Sequence, residues 1–353
     1  VAGELTGMKS VKGKIGGDAG NIRLVDVARR AEVSVATVSR VMNTPQVVRP
    51  DVRQRVNDVI KDMGYTRNAA ARALRSQSNR LFGALVPTLN QAIYAAMIDA
   101  LQRRLSEKGY LLVVGQTDFS PDTELLHVNA LIEHGAEALV LVGHAHSPEL
   151  YDLLERKKIP FINTYTYSPE SGYPCVGFDN ALATRQMADF VMDLGHQDVA
   201  VIVGVTKNND RATERLEGVR QAIAARGLAL NPDYVFESRY TIDGGRHAMR
   251  QLLRLPRPPT AVLTGSDVLA FGALVECKAQ GIAVPEQVSI VGFDDMEFAA
   301  HLDPPLTTLQ VPVAQMGQNA ADYLLACVAN EPRYDQVELE TRLVVRKTTA
   351  KRK

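Results

Sequence analysis

Apolar residues at 24, 27, 28 and 31, and again at 35, 38, 41 and 42, recur three and four positions apart. This spacing predicts two short helices in 24–43, joined through a tight turn at Glu32 and Val33. Ser34 sits where a hydroxyl can take a free N–H of the second helix. A third helix follows, with Pro50 at its first position, an apolar face at Val52, Val56, Val59, Ile60 and Met63, and Gly64 as its stop. Residues 68–75 are Ala-rich, good helix formers in a run too short to be stable alone.

From residue 81 the period changes. Short apolar runs at 81–86, 110–114, 138–142 and 160–163 alternate with amphipathic stretches at 92–108, 121–134 and 147–157, which predicts βαβ units around a parallel sheet. Runs at 199–203, 234–236, 261–264 and 288–292 repeat the pattern, with helices near 211–226, 243–254 and 266–280. The order predicts two successive α/β lobes, with a ligand cleft beyond the carboxyl ends of their strands. A crossing at 307–311 is expected to return to the first lobe, followed by a helix at 313–329 and a strand at 337–345. The basic tail 346–353 is expected to fray.

Two helices joined so tightly read as helix-turn-helix, with the second free to enter a major groove. Its Ser34, Thr37, Ser39 and Arg40 suit phosphates, Arg40 can also fork onto a guanine edge, and Val35 and Ala36 keep its leading end slim. Periodicity alone leaves an ordinary amphipathic helix pair open. Charge narrows the choice. The chain of 353 residues is neutral overall, yet residues 21–80 hold twelve Lys and Arg against five Asp and Glu, a net of +7. A basic head on an acidic body points to a nucleic-acid module.

Other classes recede. Cys175, Cys277 and Cys327 are far apart and lack a C-x-x-C spacing, so they read as reduced thiols of a cytoplasmic protein. No run is long and apolar enough for a membrane span. Residues 1–20 lack the apolar core of a secretory signal and are expected to be a disordered extension. Neither a phosphate-binding glycine loop nor a nucleophile elbow is present, so no enzyme activity, catalytic residue or cofactor is expected. His144 and His146 lie at a strand end, with His127 and His134 on the helix before it. Their spacing supplies no converging carboxylates, so they read as exposed or capping residues and no metal site is expected.

The runs Val25-Asp26-Val27-Ala28, Val33-Ser34-Val35-Ala36-Thr37-Val38-Ser39-Arg40-Val41 and Asn43, continuing through Gly64-Tyr65-Thr66-Arg67-Asn68-Ala69-Ala70-Ala71-Arg72-Ala73-Leu74, resemble the lactose/galactose-repressor (LacI/GalR) family of bacterial transcription factors. The likeness covers nearly all of the chain from Arg23. It implies an all-α helix-turn-helix DNA-binding head joined to an α/β two-lobe periplasmic-binding-protein-like core. The expected division is a head at 21–66, a hinge helix and linker at 67–80, and an effector-binding and dimerisation domain at 81–350. Arg49 departs from the family pattern, which has Ser or Thr at that cap.

The resemblance implies a homodimer on a pseudo-palindromic double-stranded operator. DNA contacts are expected from Leu24, Ser34, Val35, Ala36, Thr37, Ser39, Arg40, Asn43, Tyr65, Asn68, Leu74 and Arg75, with Leu74 wedged into the minor groove. No heptad repeat follows the core, so a coiled-coil tetramer is not expected. Effector contacts are implied at Asn90, Tyr94, Arg215, Ser266 and Asp294. Tyr165 can stack on a sugar ring, and Asp267 is expected to cap its helix. An Arg and an Asp on one cleft suit a sugar or sugar acid, because the carboxylate accepts hydroxyl hydrogens while the guanidinium donates.

Overall fold

The computed structural model describes residues 22–65 and 78–352, and these part into two compact units at Ser78/Asn79. The extension at 1–20 and the hinge positions Asn68, Leu74 and Arg75 lie outside the described residues.

The first unit holds α1 (Leu24–Arg30), α2 (Val35–Asn43) and α3 (Pro50–Met63). Val27, Ala28, Ala31, Val38, Val41 and Val56 form its buried centre. All are small, which lets three short helices approach closely. Glu32 takes a left-handed conformation (φ 53°), and the Val33 N–H then bonds to the Ala28 carbonyl, which closes the turn. Ser34 Oγ accepts the Thr37 N–H at 3.1 Å and starts α2. Arg49 precedes α3 without a side-chain cap bond; its guanidinium folds onto Asp51 instead, at 2.8 and 3.2 Å. Gly64 (φ 61°) ends α3 in the left-handed region that glycine favours.

The second unit begins with β1 (Leu81–Val86), α4 (Ala92–Glu107), β2 (Leu111–Gln116), α5 (Pro121–Glu133), β3 (Ala138–Val142), α6 (Pro148–Lys157), β4 (Phe161–Thr164) and β5 (Cys175–Gly177). After α7 (Asn180–Asp193) come β6 (Val199–Gly204), α8 (Asp210–Ala225), β7 (Val235–Ser238), α9 (Ile242–Leu253), β8 (Ala261–Thr264), α10 (Asp267–Ala279), β9 (Ser289–Asp294) and β10 (Thr307–Gln310). The chain closes with α11 (Val313–Ala329), β11 (Gln336–Glu338) and β12 (Arg342–Val344). The strands form two six-stranded sheets, ordered β11-β5-β4-β3-β1-β2 and β12-β10-β9-β8-β6-β7. β12 runs antiparallel to β10; the other pairings are parallel. β3, wholly buried, aligns Val140 with Ala84 of β1, which in turn faces Val114 of β2. Such runs lack polar alternation because helices cover both faces.

The chain from residue 307 onward departs from expectation. β10 does not return to the first lobe; it pairs with β9 in the second sheet, and the return comes two residues later, where α11 packs on α4. The strand expected at 337–345 is two strands in different sheets, with the chain recrossing between Glu338 and Arg342. The tail is docked, not frayed. Thr348 is fully buried, its carbonyl accepts the Ile290 N–H, and its hydroxyl accepts the Thr307 N–H and donates to the Ile290 carbonyl. Each difference arises from partners distant in the chain, which local spacing does not encode.

Candidate functional site

In the first unit, Ser34, Val35, Ala36, Arg40 and Asn43 are exposed on α2, and Thr37 and Ser39 are half-buried. Val38 and Val41 turn the opposite face into the core, so packing leaves the polar face outward. Three hydroxyls are engaged locally: Ser34 Oγ lies 2.8 Å from Thr37 Oγ1, and Asn43 Nδ2 donates to Ser39 Oγ at 3.2 Å. Leu24 and Tyr65 pack against the core of this unit, which gives both a packing role beside the DNA contact expected of them.

In the second unit, the carboxyl ends of β1, β4, β6, β8 and β9 converge on one cleft. Tyr94, Tyr165, Arg215, Ser266 and Asp294 line a cavity of about 20 Å³ there, together with Gln91, Ile93, Arg211, Tyr240 and Gly265. Gln91 and Tyr240 also border a neighbouring compartment of about 770 Å³, which Asn90 lines. Five of the six expected effector residues therefore meet at the smaller cavity, and Asn90 lines the adjoining one.

Arg215 is held by three neighbours. Nε donates to Asn180 Oδ1 at 2.9 Å, Nη1 donates to the Gly265 carbonyl at 2.7 Å, and the guanidinium lies 3.7 Å from the Phe293 ring centre. Both hydrogen-bond acceptors are neutral. Asp294 is buried at the end of β9, and this burial pushes its carboxyl well above the usual carboxylate range; Arg215 opposes the shift and Asp267 adds to it. The Tyr94 and Tyr165 rings meet edge to face at 5.2 Å. The Tyr165 hydroxyl donates to the Ile93 carbonyl at 2.8 Å, so the ring is a fixed wall. Burial raises the Tyr94 hydroxyl to about 12. Ser266, and not Asp267, is the cap of α10, its Oγ accepting from the Leu269 N–H at 3.5 Å.

Arg211 was missed by sequence reasoning, although it lies one helical turn before Arg215. Its Nη1 donates to the Val142 carbonyl of the first lobe at 3.0 Å and to Asp210 Oδ1 at 2.6 Å. His144 and His146, expected to be exposed or capping, are instead half-buried and meet carboxylates. His144 Nδ1 stands 3.1 Å from Asp210 Oδ2 and Nε2 3.6 Å from Glu214 Oε1, both across the cleft, while His146 pairs with Glu124 at 2.8 Å. Asp210 and Glu214 share one face of α8, far from His144 in the chain, so no local spacing announces the cluster. Burial, reinforced by Asp210, raises Glu214 to about 7. Ligand atoms of His144, Asp210 and Glu214 lie within 4.8 Å of one another, but Arg211 already supplies a cation to Asp210. Asp210 is better placed as a lobe-to-lobe contact than as a metal ligand.

Residues 23–68 match the profile of the bacterial regulatory proteins of the lacI family, and residues 188–349 that of a periplasmic binding protein-like domain. Over 301 residues, 85% of this chain and 88% of its relative, the sequence is 32% identical to the HTH-type transcriptional repressor CytR of Escherichia coli K12. The chain belongs to the lacI family of bacterial regulatory proteins.

Solved structures of transcriptional regulators are similar over nearly the whole chain. The lac repressor dimer bound to operator and the anti-inducer ONPF is 26% identical with a TM-score of 0.83, covering 93% of this chain and 99% of that one. The CelR–cellobiose complex is 29% identical with a TM-score of 0.68 over 93% and 99%. As a lacI-family member the protein is a ligand-responsive, DNA-binding transcriptional repressor and not an enzyme. Among the described residues, no helix is long and apolar enough to cross a membrane.

Proposed function

We propose that this repressor binds a pseudo-palindromic operator as a homodimer and senses a sugar or sugar acid between its lobes, controlling genes of carbohydrate or sugar-acid metabolism. The observation that carries the effector class is that Arg215, Asp294 and Tyr94 line one cavity. A guanidinium donor, a carboxyl group and aromatic walls match the hydroxyls and flat apolar faces of a sugar. The CelR regulator, similar in fold, was solved in complex with cellobiose, a ligand of that class.

The exposed face of α2 supplies the base and phosphate contacts, through Ser34, Val35, Ala36, Thr37, Ser39, Arg40 and Asn43. Leu74 carries the minor-groove wedge that the family resemblance implies, Arg75 reaches the groove floor or a phosphate, and Asn68 adds a further DNA contact. Because the smaller cavity has room for about one water molecule, a sugar enters only as the lobes part and re-close around it. That movement shifts the head between DNA-competent and incompetent states, with a coupling of about 1–3 kcal/mol.

A thermal-shift and calorimetric screen of sugars, sugar acids and nucleosides, each hit then added to an operator gel shift, tests this reading. The expected result is a saccharide or aldonate that stabilises the protein, changes operator affinity and loses its effect in Asp294→Ala. A response confined to nucleosides would reject the carbohydrate assignment. A normal response from Asp294→Ala would remove the cleft assignment.

A further inference from the structure

Asp294 takes a backbone conformation that side chains rarely adopt. Its φ is 121° and that of Asp295 is 55°, both in the left-handed region without being glycine. Two successive residues of this kind persist only where their surroundings over-determine them. Here those surroundings can be named bond by bond.

Asp267 opens α10 with a fully buried side chain. One carboxylate oxygen accepts the Met296 N–H at 2.7 Å, and the other accepts the Thr308 hydroxyl at 2.5 Å. The first bond grips the chain two residues beyond Asp294. The second ties the same carboxylate to β10, the neighbouring strand. Gly292 leaves the space for it, since a β-carbon there would stand 2.1 Å from Asp267 Oδ1. From the other side, Arg346 of the docked tail donates to Asp295 at 2.7 Å and Gln310 does so at 2.8 Å. Asp295 is held by side chains as Met296 is, and Asp294, between β9 and these anchors, lines the cleft cavity with Ser266 and Arg215.

We infer that Asp267 is a positioning residue for effector recognition: its buried carboxylate, seconded by Arg346 through Asp295, holds the Asp294–Met296 turn so that Asp294 faces the effector. This rests on the reading of Asp294 as an effector contact, and the tests separate the two. Asp267 does not itself line the cavity; besides holding the turn, it reaches Asp294 through its own backbone N–H, which bonds to the Asp294 carboxyl, and through the repulsion between the two buried carboxyls. Burial pushes the Asp267 carboxyl up to about 7, and the bonds from Thr308 and Met296 oppose the rise.

The first measurement needs no ligand. In Asp267→Ala, amide exchange across 292–298 is expected to quicken at least tenfold while α11 and the first-lobe strands keep their protection. Asp267→Asn, which keeps an acceptor for Met296, should restore most of it. Unchanged exchange across 292–298 in Asp267→Ala overturns the inference. Should Asp267→Ala fail to fold, Thr308→Val serves in its place, with an intermediate rise in exchange expected and none counting against the idea.

The second is a double-mutant cycle titrated with cellobiose and with D-gluconate. Asp267→Ala and Asp294→Ala are each expected to weaken binding tenfold or more, and the double variant no further than Asp294→Ala alone, with operator affinity unaltered. Independent, multiplying losses overturn the positioning role, as does wild-type affinity in Asp267→Ala. Wild-type affinity in Asp294→Ala defeats the effector reading instead. If neither probe binds the wild-type chain, the sugar reading falls and amide exchange alone decides the role of Asp267.

Discussion

Gly143 follows β3 at the point where the second lobe presses on the first, and replacing it with alanine separates two effects that usually arrive together. Its φ is 86°, and a β-carbon there would stand 1.8 Å from Arg211 Nη1 and 2.5 Å from Asp210 Oδ1. The backbone strain of an L-residue with positive φ costs roughly 1–2 kcal/mol and is the same whether the lobes are open or shut. The collision exists only when they are shut. Two hydrogen bonds cross the cleft at this point, Arg211 Nη1 to the Val142 carbonyl at 3.0 Å and the His144 N–H to Asp210 Oδ2 at 2.6 Å. Both involve a charged partner, so displacing one costs about 1.5–3 kcal/mol, roughly a ten- to 150-fold shift toward open lobes. Effector affinity should fall by the same factor, since only closed lobes grip the ligand. Gly172→Ala is the control: its φ is 73°, yet nothing lies within 4 Å of the new carbon. Energy transfer between dyes at the exposed positions Glu155 and Glu286, one on each lobe, reads the equilibrium. Gly143→Ala is expected to populate a more open distribution and Gly172→Ala only to lower the melting temperature. Identical lobe distributions in the two variants would refute the steric argument.

Three further outcomes are expected. Arg40→Ala should weaken operator binding by about 1–3 kcal/mol and relax preference at one base position while leaving non-specific affinity less changed; equal losses on specific and random duplex at ~150 mM salt would reduce Arg40 to a phosphate contact. Ser34→Ala removes the acceptor of the Thr37 N–H and should lower the stability of the head by about 1 kcal/mol, measured by denaturant unfolding of the first unit's signals. Acid should loosen the docked tail. His196 contacts Thr260 and Ser289 and stands 3.0 Å from the Ala350 carbonyl, and burial holds its ring below the ordinary 6.5, Arg352 adding to the effect. The folded state therefore takes up its proton later than the unfolded state. Stability is complete above 6.5 and declines as pH falls below it, by at most ~1.4 kcal/mol per unit, the slope of one proton. Denaturation midpoints between about pH 5 and 8 should show this decline in the wild-type chain and a flatter profile in His196→Gln.

The local pattern determined a great deal. Helical spacing at 24–42, the cap at Ser34 and the stop at Gly64 are short-range matters, and the structure places those elements as the spacing predicts. β1, β3 and β4 were legible for the same reason: a strand covered on both faces needs an unbroken apolar run. Strands whose partners come from afar were not. β5 is three residues long and β11 and β12 are equally short, and each exists because a neighbouring edge supplies its hydrogen bonds.

The site divides along the same line. Arg215 and Asp294 stood out from motif likeness, but Arg211, the approach of His144 to Asp210 and Glu214, and the grip of Asp267 on Met296 depend on segments well separated in the chain. Sequence spacing prescribes what a residue does within a turn or two of its own helix. Which charges then face one another across a cleft follows only from how two sheets, joined by a chain that crosses between them repeatedly, come to rest against each other.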